Sequence, residues 1–268
     1  MVLVHGLGGS HLNWLAAAPG LARHHRVLAV DLAGFGLTPL SGRKATVATN
    51  VHLVDGFIDA LSTGEPVTLV GNSMGGLVTM IEAADAPEKV AAAVLVTPAL
   101  PPVSGGGLKP RTALRLAIPT LPFVGPRLTE RYQSRVPLER QVDETFEMLC
   151  VDPTRVPEEV RAASLEMGRL RRNMPWAVPA FVDASRSIGF LFARRKRFLT
   201  MIHRISCPVL VVHGEQDEIV PVASARWLQD QRPDFEFSFF RDAGHIPHIE
   251  SAEEFVAAVE HFIGRVPA

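Results

Sequence analysis

Short apolar runs recur along the chain, most of them closed by a glycine, a histidine or an acid. Val2–Val4, Val27–Val30, Val67–Val70 and Val209–Val212 have the length and composition of strands buried on both faces of a parallel sheet. Ala91–Val96 supplies a fifth such run, and Phe235–Phe240, rich in aromatics, fits an outer strand. These runs end at His5-Gly6, Asp31, Gly71, His213-Gly214 and Asp242. Helical periodicity fills the intervals. His52–Leu61 places Leu53, Val54, Phe57, Ile58 and Leu61 on one face, and Met74–Ala84 follows the third strand directly. Alternating strand and helix signals predict an α/β fold built on a mostly parallel, doubly wound sheet.

The rhythm breaks between about Pro101 and Arg204. That stretch is rich in Pro and Arg and carries helical fragments at Arg111–Ile118, Leu138–Leu149, Pro157–Leu170 and Ile188–Ile205, with no strand run. It reads as a helical cap, residues 101–204, inserted into a core made of residues 1–100 and 205–268. Charge follows the same division. Residues 109–204 hold 18 Lys/Arg against 10 Asp/Glu, and the rest of the chain holds 9 against 18. Such asymmetry predicts two units with different surfaces.

Composition narrows the function classes. With 47% hydrophobic residues among 268, the chain can bury a sizeable core, and a net charge of −1 gives no signature of nucleic-acid binding. Two distant cysteines, Cys150 and Cys207, imply no disulfide framework and a reducing compartment. The opening MVLVHGLGGS has no basic stretch before its apolar run, and no apolar run reaches about 18 residues. A cytoplasmic chain without a membrane span is therefore expected.

Candidate chemistry lies at the ends of the strands. Gly71-Asn72-Ser73-Met74-Gly75 is a Gly-x-Ser-x-Gly turn between an apolar strand and a helix, the setting of a nucleophile elbow. Ser73 is the expected nucleophile. A serine hydroxyl needs a base to take its proton, and the base needs an acid to fix its tautomer. In nucleophile-elbow enzymes the acid and then the histidine follow the serine along the chain. Asp217, in the loop after Val209–Val212, is the expected acid, with Glu215 as the fallback; the loop Val96–Leu100 holds no acid. His245, in a Gly-His turn after Phe235–Phe240, is the expected base. His5 and His213 read as loop hydrogen-bonding residues and His248 as a loop or helix-start residue. The His245/His248 pair lacks a third ligand, so neither a metal nor another cofactor is expected. Backbone N–H groups of Met74 and of Leu7, with Gly8 as the second choice for the latter, are the expected oxyanion hole.

The ordered set HGLGGS, DLAGFGLT, GNSMGG, PVLVVHGEQD and AGHIPHIE resembles the α/β-hydrolase superfamily. GNSMGG is particularly similar to the elbow of the meta-cleavage-product hydrolases, which split carbon–carbon bonds, and to that of related esterases. The resemblance implies a serine hydrolase acting on a carboxylic ester or thioester of a hydrophobic small molecule, with carbon–carbon hydrolysis as the alternative. A non-enzymatic binding protein on the same fold is the third class, and the intact Ser-Asp-His set opposes it. Against carbon–carbon cleavage, those enzymes usually carry a tryptophan after the catalytic histidine, where this chain has Ile246. Dehalogenases and epoxide hydrolases of the superfamily use an aspartate nucleophile, and the epoxide hydrolases also need cap tyrosines; here the nucleophile position is Ser73 and Tyr132 is the only tyrosine. Members usually have two leading strands before the HG strand, which here begins at Val2, so the leading strands are expected to be missing and that border of the sheet under-covered. The run Ile188–Ile205 is apolar and strongly basic. It reads as a cap helix with Arg194, Arg195, Lys196 and Arg197 facing water, and a weak lipid or membrane-surface contact is the alternative use. Trp176, Phe181, Phe190 and Phe192 are candidates to line an acyl pocket.

Overall fold

The computed structural model describes residues 1–61, 64–103, 110–118, 121 and 124–266. Lys109, counted in the basic excess, and the last two positions, 267 and 268, of the expected core lie outside them. The elements run β1 (Val2–Val4), α1 (Ala18–Leu21), β2 (Leu28–Val30), α2 (Val47–Leu61), β3 (Val67–Asn72), α3 (Met74–Asp85), β4 (Val90–Val96), α4 (Pro110–Ala117), α5 (Val124–Arg135), α6 (Leu138–Leu149), α7 (Glu158–Arg171), α8 (Ala177–Ala193), α9 (Arg195–Ile202), β5 (Val209–Gly214), α10 (Val222–Gln231), β6 (Glu236–Phe240), α11 (Pro247–Glu250) and α12 (Ala252–Ile263).

All six strands pair in parallel in the order β2-β1-β3-β4-β5-β6. The apolar runs were decisive here because a strand covered by helices on both faces cannot alternate polar and apolar positions. β5 is buried at every position, and β3 at its last four. β6, with one buried residue in five, is an edge strand, as its aromatic-rich composition suggested. The other border is β2, whereas β1 has a partner on each side. One face of the sheet packs against α2 and α3 through residues such as Val4, Leu69, Val54 and Leu77, and the other against α1 and α12 through Leu3, Val70, Leu21 and Phe255.

Between β4 and β5 every described element is helical. The run expected as one helix over Ile188–Ile205 is two. α8 begins eleven residues earlier, at Ala177, and the chain turns at Arg194, whose φ of −100° and ψ of 51° are not helical. The turn lets Phe198 and Ile202 of α9 bury themselves in the core beside α3. Arg194 to Arg197 face solvent, with Arg194 stacked over Phe190 at 3.5 Å and Arg195 over Trp227 at 4.9 Å. Among the described residues, no helix is long and apolar enough to cross a membrane.

Candidate active site

The carboxyl ends of β3, β4, β5 and β6 converge, and each delivers one part of the site. At the end of β3 the chain turns sharply into α3. Ser73 occupies the turn with φ 53° and ψ −114°, a left-handed conformation that only a built environment sustains. The turn can be this tight because Gly75 has no side chain: a Cβ there would land on the carbonyl oxygens of Val4 and His5. Ser73 N–H donates to Val96 O at 2.9 Å, and Ser73 O accepts from Ala99 N–H at 2.9 Å. Met74 opens α3, in the first turn, where N–H groups have no acceptor within the helix.

The loop after β1 presses on this elbow. A Cβ on Gly6 would stand 2.8 Å from Asn72 Oδ1 and 3.2 Å from Ser73 Cβ, so glycine is what allows the approach. The backbone at Gly6 therefore runs beside Ser73. His5 anchors the loop. Its Nδ1–H donates to Gly6 O at 2.7 Å and its Nε2 accepts from Leu32 N–H at 3.1 Å. Burial is the main cause that pushes its imidazole down to about 4, so it is a neutral brace. Phe181 of α8 covers the loop from above, its ring 3.3 Å from where a Gly8 Cβ would be.

Asp217 and His245 are brought into direct contact, with His245 Nδ1 2.8 Å from Asp217 Oδ2. The other oxygen of Asp217 accepts the N–H groups of Ile219 at 2.7 Å and Val220 at 2.9 Å. Burial by itself would raise this carboxyl. The facing His245, the hydrogen bond it donates, nearby His213 and the Val220 N–H outweigh burial and hold Asp217 below the usual carboxylate range. A carboxylate only accepts, so Nδ1 carries the proton and the neutral ring keeps its lone pair on Nε2. Glu215, the fallback acid, turns away and pairs with Arg226 at 3.4 Å on the surface.

Several supporting residues carried no role in the sequence reading. Thr97, at the end of β4, has φ 40°, rare for a β-branched residue. Its hydroxyl donates to His245 O at 2.7 Å, and Asn72 Nδ2 reaches the same oxygen at 3.3 Å and Thr97 Oγ1 at 2.9 Å. These contacts fasten the histidine turn to the serine elbow. Asn72 stands inside the recognised GNSMGG, but nothing in that pattern tells where its amide points. Nothing around Thr97 marks it at all. Of the other aromatic candidates, Phe190 lies under Arg194 and Phe192 packs on Phe198. Among the described residues, no group of three or more His, Cys, Asp or Glu is arranged to hold a metal ion.

Residues 1–252 match the family model for the alpha/beta hydrolase fold. The chain is 30% identical over 268 residues to a 2-hydroxy-6-oxo-6-(2'-aminophenyl)hexa-2,4-dienoic acid hydrolase of Metapseudomonas resinovorans, covering 99% of this chain and 84% of that protein. It is 27% identical over 264 residues to a pimeloyl-[acyl-carrier protein] methyl ester esterase of Aeromonas hydrophila, covering 98% of this chain and 95% of the relative. A thermophilic esterase structure from Thermogutta terrifontis superposes with a TM-score of 0.74 at 24% identity, over 100% of this chain and 90% of that one. With the six-stranded parallel sheet, the helices on both its faces and a family match over nearly the whole length, this chain belongs to the alpha/beta hydrolase fold family.

Proposed function

We propose that the protein is a serine hydrolase that cleaves a carboxylic ester or thioester of a hydrophobic small molecule through an acyl-enzyme. The observation that carries this reading is the 2.8 Å His245–Asp217 hydrogen bond, fastened by Asn72 and Thr97 to a serine elbow with positive φ. In this reading, His245 Nε2 takes the Ser73 hydroxyl proton as Oγ attacks the carbonyl carbon. The carbonyl π pair moves to oxygen, and the peptide N–H groups of Met74 and Leu7 stabilise that oxyanion. Collapse expels the alkoxide or thiolate, which leaves with the proton held by His245. Water then attacks the acyl-enzyme, His245 takes its proton, and Ser73 is released with the carboxylic acid. Asp217, held ionised by its donors, stabilises the imidazolium that forms in each half. Phe181, lying over Gly8, supplies apolar surface beside the reacting carbonyl.

Carbon–carbon hydrolysis of a dienoic keto acid is the second reading, favoured by the 30% identical Metapseudomonas relative. Ile246 argues for the ester reading. It is 2% exposed and packs among Leu138, Val142 and Phe146, so the position after the histidine serves the interior. Carbon–carbon cleavage of this kind would call for a cap arginine to hold the substrate carboxylate; Arg171 of α7, for one, already donates to Gly34 O at 3.2 Å and lies over the Phe35 ring. The test is a series of p-nitrophenyl esters of increasing acyl length, set beside a coloured ring-fission product. Ester turnover with no bleaching of the ring-fission product is expected. Bleaching without ester turnover would replace the first reading with the second.

A further inference from the structure

We infer that Glu250 is a positioning residue for His245: its buried carboxylate ties the histidine turn to the corner between α6 and α7, so that the base is aligned only while that corner is seated. The inference rests on the proposed role of His245. Glu250, the last residue of α11, has no solvent-accessible side-chain surface. One of its oxygens, Oε2, accepts the N–H of Gly244 at 2.8 Å. The other, Oε1, accepts the N–H groups of Val151 and Asp152, each at 2.8 Å, and Arg155 Nη2 at 3.0 Å. A single carboxylate thus bridges the residue before His245 and the start of the segment that follows α6.

The main chain of His245 repeats the arrangement. Its N–H donates to Leu149 O, the last residue of α6, at 2.7 Å. Its carbonyl oxygen is held from the core side by Thr97 and Asn72. The backbone of the base is therefore gripped between the helical insertion and the sheet, with Glu250 locking the insertion side. Apolar packing of Ile246 against Leu138, Val142 and Phe146 of α6 closes the same joint. Displacing the α6–α7 corner would remove the acceptor of the His245 N–H and pull on Gly244, moving the imidazole relative to Asp217 and Ser73. Misplacement on the order of 1 Å costs catalysis about 10²-fold.

A carboxylate is required because both of its oxygens face N–H donors. Glutamine has one oxygen and one NH2 group, so in either orientation an amide N–H would oppose another N–H, at Gly244 or at Val151 and Asp152. E250Q keeps the volume and breaks one side of the bridge.

The experiment measures kcat and KM on a p-nitrophenyl ester, the rate of Ser73 labelling by a fluorophosphonate, and the melting temperature, for wild type, E250Q and R155M. For E250Q, kcat and the labelling rate are expected to fall about 10- to 100-fold while KM stays within about three-fold, because the lost contact aligns the base and does not bind substrate. R155M removes one donor of four and is expected to lower kcat about three- to ten-fold. A wild-type kcat and labelling rate in E250Q, with only a lowered melting temperature, would overturn the inference. If E250Q does not fold, R155M decides: a wild-type kcat there overturns it as well. Absence of Ser73 labelling in the wild type would instead sink the serine-hydrolase reading itself.

Discussion

His248 offers a quantitative test of how this fold treats a buried base that takes no part in the proposed chemistry. The ring is fully buried, 4.5 Å from the Trp14 ring and 6.1 Å from that of Phe255. Among the described residues neither of its nitrogens has a hydrogen-bond partner. Burial, with a smaller contribution from His245, pushes it down from 6.5 to about 3. The folded state therefore refuses a proton that the unfolded chain accepts. Its contribution to stability is complete above pH 6.5 and is lost as pH falls from there toward 3. Between pH 7 and pH 5 a group with these two values costs about 2 kcal/mol of folding free energy. His5, lowered to about 4, adds about the same. Glu82, raised to about 7 mainly by burial, works in the opposite sense in this window, because the folded state takes up its proton before the unfolded chain does, so the His248 contribution is read as a difference between wild type and variant. Asp217 does not blur this window, because a depressed carboxylate loses its contribution only below its unfolded value near 3.8. Leucine at 248 keeps apolar contact with Trp14 and Phe255 and removes the titration. Urea unfolding of wild type and H248L at pH 7 and pH 5 is the assay. The loss of stability on acidification is expected to be about 2 kcal/mol smaller in H248L. An equal loss in both proteins would refute the argument, since it would mean that His248 accepts a proton in the folded state.

Three further outcomes follow from the geometry. S73A, H245A and D217N are each expected to remove activity by roughly 10⁴–10⁶ on a p-nitrophenyl ester without multiplying in combination, and with the circular-dichroism spectrum retained; E215Q, on the surface beside Arg226, is expected to stay near wild type, and the reverse pattern would reassign the acid. F181A uncovers the loop at Gly8 and is expected to move the acyl-length optimum toward longer chains, an unchanged profile placing Phe181 outside the pocket. G75A drives a methyl group onto the carbonyls of Val4 and His5 and is expected to destabilise the fold by more than about 4 kcal/mol, read as insoluble or melted protein; a normal melting temperature would mean that the elbow can relax.

Much of the fold was legible because its signals are local. A strand covered on both faces must be apolar throughout, so β1, β3, β4 and β5 announce themselves with ends accurate to a few residues. Local patterns were weaker where packing against a distant element decides. α5, α10 and α12 went unrecognised, and the single helix expected over Ile188–Ile205 is broken at Arg194 because α9 turns to bury Phe198 and Ile202 beside α3.

The site divides in the same way. The elbow around Ser73, the acid-bearing loop after β5 and the Gly-His turn after β6 follow from short-range requirements of turn geometry and chain order, so Ser73, His245 and a loop offering Asp217 or Glu215 stand out as candidates in the sequence. What the sequence left open was which acid faces the histidine and what holds that histidine still. Asp217 rather than Glu215 meets His245 because the chain turns after β5 and folds one acid inward against Ile219 and Val220. Thr97, Asn72, Leu149 and Glu250 acquire their roles only when segments as much as 173 residues apart are packed together. A hydrogen bond between distant segments leaves no periodicity and needs no special residue type at its carbonyl end. Such contacts are a property of the tertiary structure, and they, rather than the motifs, set the geometry in which the motif residues stand.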